Sequence, residues 1–350
     1  MQMRHAVHVG GAESMEMHVV GPTLQDVAAE AGVSVSTASR ALSGGKVKAA
    51  TKRVVLEVAR QIGYKTDLDD DLPTPGRTGN IALLATDIQN FYTVDLFRSV
   101  VLEAQAVGYR VFLADINITL GRDQLIRGIL DSSDGVLVAA PRIGDDDIRR
   151  LFDPKTTVLV SRRVDGFSSV AMDDSSGMFQ AVRHLASLGH GRVAYLGGDD
   201  RSRADARRRQ GFEDATEKLG MESLVLGPFE PSFEGGVNAA DALMMEDDVT
   251  AVIAYNDLMA SGVLNRLLER GVKVPEQVSL VGFDNSMLAQ VSRPKMTSVA
   301  MRQNDSRTAL QMLMAMLERN GSDDYVFEPE TASATESLIV RESTGPAPKE

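Results

Sequence analysis

The sequence predicts an α/β chain: a small all-α head of helix-turn-helix type, followed by a core of doubly wound α/β layers. Two features predict it. Short apolar runs alternate with amphipathic stretches from about residue 80 to 344, and a compact, basic, helical segment precedes them. At 350 residues the chain has the length of two or three domains.

The apolar runs are IALLAT (81–86), YRVFLAD (109–115), GVLVAA (135–140), TVLVSR (157–162), RVAYLGG (192–198), AVIAYND (251–257) and VSLVGFD (278–284). Each is rich in Val, Ile, Leu or Ala and ends in a polar or small residue. Such runs read as buried parallel strands whose ends face a ligand. Between them, LFRSVVLEAQAVG and LMASGVLNRLLERG (258–271) repeat apolar residues at helical spacing. Strand–helix alternation of this length gives a doubly wound sheet, which binds ligands beyond the carboxyl ends of its strands.

The formal net charge of −12 excludes a chain that coats nucleic acid or membrane along its whole length, and leaves room for one basic module. Cysteine is absent, which fits the reducing cytoplasm and excludes disulfides and thiol chemistry. Residues 1–21 lack the apolar core of a secretory signal and read as a disordered leader. Of the five histidines, His5, His8 and His18 lie there without acidic partners at ligand spacing, so neither a metal nor a cofactor is expected. No apolar stretch reaches the ~18 residues of a membrane span. Residues 67–79, DLDDDLPTPGRTG, read as an acidic Pro/Gly linker, and 345–350, GPAPKE, as a tail. Catalysis finds no support: there is no G-x-x-x-x-G-K phosphate loop and no G-x-S-x-G elbow. His184 and His190, around the end of LASLGH, suit an aromatic or capping role.

Residues 22–66 form the head and carry seven Lys or Arg against three acids, a local charge of +4. In TLQDVAAEAGVSVSTASRAL (23–42), Thr23 and Asp26 make a capping box, Leu24, Val27, Ala28 and Ala31 form an apolar face, Gly32 stops the helix and Ser34 caps a second one. A third helix over about 49–62 has Val54, Val55, Val58 and Ile62 at core spacing. Helix, glycine turn, helix is a plan for entering a DNA major groove. Small side chains at the start of the second helix let its backbone approach base edges. Val35 suits a thymine methyl, Ser36 a base edge, and Arg40 the O6 and N7 atoms of guanine. Ser34, Thr37 and Ser39 suit phosphates, and Thr23 is counted in the same DNA-binding set. The bland alternative is a three-helix cap with no nucleic-acid role.

DVAAEAGVSVSTASRAL resembles the head of the LacI/GalR regulators, and Gly63-Tyr64 fits its ending. IALLATDIQNFY, DDSSGMFQAVRHLASLGHGRVAYLGG (173–198), RRRQGF (207–212), AVIAYNDLMASG and VPEQVSLVGFDN (274–285) resemble further blocks in the family's order. The resemblance implies a cytoplasmic, sequence-specific DNA-binding regulator, a repressor acting as a homodimer on double-stranded operator DNA. It implies a periplasmic-binding-protein-like core of two lobes, about 80–173 plus 300–325 and 174–299 plus 326–344, joined by three crossovers. A small effector, first of all a sugar, would lie between them. The strand-end residues expected in that cleft are Asp87, Asn90, Tyr92, Arg162, Asp173, Arg208, Asn256, Asp257 and Asp284, of which Arg208 and Asp284 match effector-binding positions of the family.

The chain departs from the family's pattern in three places, the first being Lys48, where a helix-capping serine is usual. Asp69, Asp70, Asp71 and Pro73 stand where a hinge helix with a wedging leucine is usual, which reads as a flexible tether unless Leu68 or Leu72 takes over the wedge. Ser161 stands where an Asp commonly binds effector hydroxyls, while Arg201, Arg203, Arg207, Arg208 and Arg209 crowd RSRADARRR. That cluster reads as a solvated basic face or as a site for a phosphorylated sugar. A sugar sensor with weakened DNA binding, and a transport protein with none, are the rival readings.

Overall fold

The computed structural model describes residues 22–42, 47–62, 64, 77–117, 120–300, 305–320, 326–334 and 336–349. The leader, Gly63 and the linker residues Leu68 to Pro73 lie outside the described residues, and so do the leader histidines. The chain divides into two compact units, Met1–Leu72 and Pro73–Glu350. No helix among the described residues is long and apolar enough to cross a membrane.

The first unit contains α1 (Leu24–Glu30), α2 (Val35–Leu42) and α3 (Ala49–Ile62). Both halves of the capping box form at α1: the Thr23 hydroxyl accepts from the Asp26 N–H, and the Asp26 carboxylate takes the Thr23 N–H at 2.6 Å. Gly32 has φ +64° in the turn to α2, with open space where a Cβ would stand, so the backbone angle is what asks for glycine. Ser34 Oγ accepts from the Thr37 N–H at 3.2 Å and opens α2. The small core holds Val27, Ala28, Ala38, Ala41, Leu42, Val55, Val58 and Ala59. Val54, expected inside, is 48 % exposed. The inward stripe of α3 runs 55, 58, 59, 62, and Val54 falls about 100° off it.

The second unit holds two six-stranded sheets. In the first the order is β11 (Thr331–Ala334), β5 (Ser168–Met172), β4 (Thr157–Val160), β3 (Gly135–Ala139), β1 (Asn80–Ala85) and β2 (Arg110–Asp115), all parallel. In the second it is β12 (Ser337–Ile339), β10 (Thr297–Ala300), β9 (Ser279–Asp284), β8 (Ala251–Ala254), β6 (Arg192–Leu196) and β7 (Glu222–Leu226), parallel except for β12. Helices α4 (Phe91–Gln105) and α12 (Asp305–Arg319) cover one face of the first sheet, and α5 (Arg122–Leu130) and α6 (Asp145–Leu151) the other. In the second sheet, α7 (Asp174–Ser187) and α8 (Arg203–Leu219) cover one face, with α9 (Phe233–Leu243) and α10 (Asp257–Glu269) on the other, and the short α11 (Met287–Val291) beside α10.

Covering both faces explains why the strands read as unbroken apolar runs. Along β1, Ile81, Leu83 and Ala85 enter one core layer while Ala82 and Leu84 enter the other. The seven apolar runs correspond to β1, β2, β3, β4, β6, β8 and β9. β2 is the exception to burial, because it is an edge strand; its Phe112 is 45 % exposed. The lobe boundary needs a correction: β11 pairs with β5, so residues 326–334 belong with the first sheet, and the last crossover falls just before β12. The segment after 344, expected as a tail, is tied down as far as Ala347. The Gly345 N–H donates to Ser279 Oγ at 3.0 Å and the Ala347 N–H to the Leu188 carbonyl at 2.9 Å.

Candidate nucleic-acid interface and effector cleft

In the first unit, burying Ala38, Ala41 and Leu42 leaves the opposite face of α2 outward. Ser34, Val35, Ser36, Ser39 and Arg40 are exposed, Thr37 is half-buried, and Val35 shows 44 % of its surface. The Ser34 hydroxyl meets those of Ser36 (3.0 Å) and Thr37 (2.8 Å). Arg40 Nε donates to the Ser36 carbonyl at 3.1 Å, which leans the guanidinium along α2 toward its start. Thr23 is exposed at the opening of α1 and spends its side chain on the capping box. A short helix thus offers an apolar methyl pair, several hydroxyls and one guanidinium on a single face, the side-chain set that reads base edges and phosphates.

In the second unit, carboxyl ends of strands from both sheets face one cleft. Its outer part is a cavity of about 590 Å3 lined from both lobes. Below it, a space of about 50 Å3 is lined by Asn90, Tyr92, Ser161, Asp174, Arg208 and Asp284, among others. That deeper space has room for one or two waters.

Arg208 is the centre of the deep part. Its Nε donates to Asp174 Oδ1 at 2.9 Å, its Nη1 to the Tyr255 carbonyl at 2.6 Å, and its Nη2 stands 3.6 Å from Asp284 Oδ1. The guanidinium lies over the Phe283 ring at 3.6 Å from the centroid. Burial works against its charge, but Asp174 and Asp284 outweigh that and hold it above its usual range. Asp284 is pushed up to about 6, because its burial outweighs the pull of Arg208 and the hydrogen bond from Asn90. Ala140 (φ 43°), Ser161 (φ 58°) and Asp284 (φ 104°) all end strands against this space in the left-handed region. Such strain persists where the surroundings dictate the geometry, as at ligand clamps. Gly198 is glycine for another reason: a Cβ there would stand 2.7 Å from the Tyr255 ring.

Polar contacts among the described residues cross from lobe to lobe. Asn90 Nδ2 donates to Asp284 Oδ2 at 3.0 Å while its Oδ1 caps α4 by accepting from the Tyr92 N–H. Arg207 Nη2 donates to the Ser161 carbonyl at 3.3 Å. Arg142, 3.5 Å from Asp87 of its own lobe, stands 3.9 Å from Asp199 of the other.

Of the nine residues expected in the cleft, Asp87, Asn90, Tyr92, Arg208 and Asp284 line it. The other four are corrections. Arg162 is buried, paired with Asp145, and does not line the two spaces. Asp173 is the exposed N-cap of α7, accepting from the Ser176 N–H at 3.1 Å. Asn256 caps α10, accepting from the Met259 N–H at 2.8 Å. Asp257 is fully buried, accepts from Ser298 Oγ at 2.7 Å and the Ser286 N–H at 2.6 Å, and is raised to about 7 by that burial. Missed were Asp174, Arg142 and Tyr255, each beside a strand end already singled out or within one residue of a named one, while Arg207, named only within the arginine cluster, lines the deep space. His190 is buried and its ring meets Thr250 (2.8 Å), Ser279 (3.1 Å) and the Gly345 carbonyl (3.1 Å); His184 meets Thr344 at 2.9 Å. Both bind the end of the chain to the second lobe.

A groove-reading helix pair joined to a two-lobed ligand cleft defines a DNA-binding regulator with a periplasmic-binding-protein-like domain. Residues 23–67 match the family model for bacterial regulatory proteins of the lacI family, and residues 182–344 match that for the periplasmic binding protein-like domain. The HTH-type transcriptional regulator DegA of Bacillus subtilis (strain 168) is 30 % identical over 341 residues, 93 % of this chain and 98 % of the relative. The chain belongs to the LacI family of transcriptional regulators. Among solved structures, the transcriptional regulator CelR–cellobiose complex is similar with a TM-score of 0.68 and 29 % identity, covering 92 % of this chain and 99 % of that one. The lac repressor dimer bound to operator and the anti-inducer ONPF shares the fold, with a TM-score of 0.71 at 20 % identity, covering 93 % and 100 %.

Proposed function

We propose that this regulator is a cytoplasmic repressor that binds operator DNA as a homodimer through Thr23, Ser34, Val35, Ser36, Thr37, Ser39 and Arg40, and that a sugar bound between its lobes sets that affinity. The observation that carries the effector reading is the meeting of Asn90, Arg208 and Asp284 at the floor of the cleft. A carboxylate, an amide and a guanidinium around one small space are what vicinal hydroxyls need, and Tyr92 adds a flat face. The cellobiose-bound relative supports a sugar over other small molecules. The cleft is assigned to binding and not to catalysis.

The mechanism is linkage. A dimer sets two heads on half-sites about one helical turn apart. In this arrangement the deep space is too small for a sugar ring, and Asn90 holds Asp284 across the lobes. A sugar that takes over those hydrogen bonds changes the lobe angle, and the DNA affinity changes by no more than the sugar's differential affinity for the two arrangements.

The test uses the full chain and a duplex recovered from genomic DNA by binding to it. A neutral sugar that raises the melting temperature is expected to change the affinity for that duplex as well. Asp284→Asn is expected to weaken the sugar by about 10–100-fold, the loss of one charged hydrogen bond in a buried site. A sugar that binds the variant equally well, or binds the wild type without altering DNA affinity, contradicts the proposal.

A further inference from the structure

The arginine-rich stretch 201–209 leaves the charge class of the effector open, and the cleft itself speaks to it. Arg207 and Arg208 both bond Asp174, Arg201 bonds Asp199 at 2.7 Å, and Arg209 bonds Glu213 at 3.0 Å on the outer side of α8. These four cations are matched by carboxylates of the chain itself, and the fifth, Arg203, is exposed and lines neither part of the cleft. The outer cavity is lined by Asp87, Asp115, Asp199, Asp200 and Glu230. Among the described residues two cations, Arg142 and Arg201, line it as well, and Arg142 lies between Asp87 and Asp199. Asp115, Asp200 and Glu230 have no Lys, Arg or His nitrogen within 4.0 Å among the described residues. Asp115 accepts the Asn117 N–H at 2.8 Å, and Asp87 is raised above the usual carboxylate range, first by burial and in part by Asp115 nearby.

Resting on the sugar reading above, we infer that the effector is a saccharide without phosphate or carboxylate groups, one that carries only hydroxyls or an amine toward the outer cavity. Carboxylates are acceptors only, so they pair with hydroxyl and ammonium donors and repel a second anion. The cavity lies partly out of water between two lobes, where such repulsion is screened less than on an open surface. An anion entering would meet the carboxylates of Asp115, Asp200 and Glu230, which lack an ion pair, while both lining cations among the described residues, Arg142 and Arg201, are already paired with carboxylates. Its volume of about 590 Å3 lies in the ~300–1,000 Å3 range of small-molecule sites, so charge and not space does the selecting.

Calorimetry on the full chain at low salt, with matched probes, tests this. The probes are glucose, glucosamine, glucuronate and glucose 6-phosphate, then cellobiose and cellobiose 6-phosphate. Within any set that binds, the neutral or amino member is expected to bind at least about tenfold tighter than the anionic one, a gap of one decade in affinity. The double variant Asp115→Asn with Glu230→Gln is expected to narrow that ratio, whatever it does to either affinity alone. An anionic member that binds as tightly as its neutral partner, or a ratio unmoved in the double variant, overturns the inference. Binding by no saccharide of any charge would instead remove the sugar reading, and this inference with it.

Discussion

Glu336 is the least comfortable residue in the second unit. It stands at the last crossover, 4 % exposed, with neither carboxyl oxygen hydrogen-bonded among the described residues. It packs so closely on α7 that a Cβ at Gly177 would lie 2.0 Å from its Oε2. Burial raises its pKa to about 8, with Asp174, Asp284 and Asp173 adding to the rise and Arg208 opposing it. The native state therefore keeps a proton that the unfolded chain releases at an ordinary glutamate pKa of 4.5. Its contribution to stability is fully present below that value and is lost as pH climbs through about 8. Asp257 and Asp284 are shifted the same way, so the informative quantity is a difference between proteins. Glu336→Gln is expected to melt increasingly above the wild type as pH rises from 5 to 9, by about 2–4 °C for each kcal/mol gained. Parallel melting profiles across that range would assign the strain elsewhere. The same residue scale shows where sequence reading slips. Asp173 and Asp174 are equivalent in the sequence, and only the geometry of the α7 N-terminus decides that the first caps and the second meets the arginines.

Among the elements, the two glycines between α9 and α10 separate propensity from packing. A Cβ at Gly262 would lie 2.0 Å from the Phe233 carbonyl oxygen, and one at Gly236 2.0 Å from that of Met259. Alanine normally favours a helix over glycine by roughly 0.5–1 kcal/mol, but forcing two backbones apart costs about 1–3 kcal/mol. Gly262→Ala is expected to lower the urea midpoint, with a net loss of about 1–2 kcal/mol. Gly128→Ala, at an exposed position of α5 with nothing within 4 Å of its Cβ, is expected to raise it. Equal shifts in the two variants would mean that close approach of α9 and α10 is not what asks for glycine. Elements with both faces covered were legible because burial writes itself as apolar runs. β5, β7, β10, β11 and β12 were not, since they are short, edge-placed or begin with Ser and Thr, as SSVAM, TSVA and TASA do. The assignment of β11 was lost for a related reason: TASA carries no mark of which sheet it joins, and the long-range pairing to β5 alone decides it.

For the whole molecule, the central claim is that the outward face of α2 reads DNA sequence in a chain that is acidic overall. The capping box, the left-handed Gly32 and the buried Ala38, Ala41 and Leu42 all serve to present that face; the first two were legible in twenty consecutive residues, and the burial of the last three came from the packing against α1 and α3. The lobes were legible as a pattern, but their closure was not. Asn90 to Asp284 spans 194 residues, and no local signal announces it. The claim is tested most directly by selecting from a pool of random duplexes with the full wild-type chain and with Arg40→Ala. The wild type should enrich a twofold-symmetric sequence whose half-sites are centred about 10 base pairs apart. The variant should lose that preference by about 1–3 kcal/mol per half-site while keeping salt-dependent binding to any duplex. Enrichment of the same sequence to the same extent by both proteins would contradict the account.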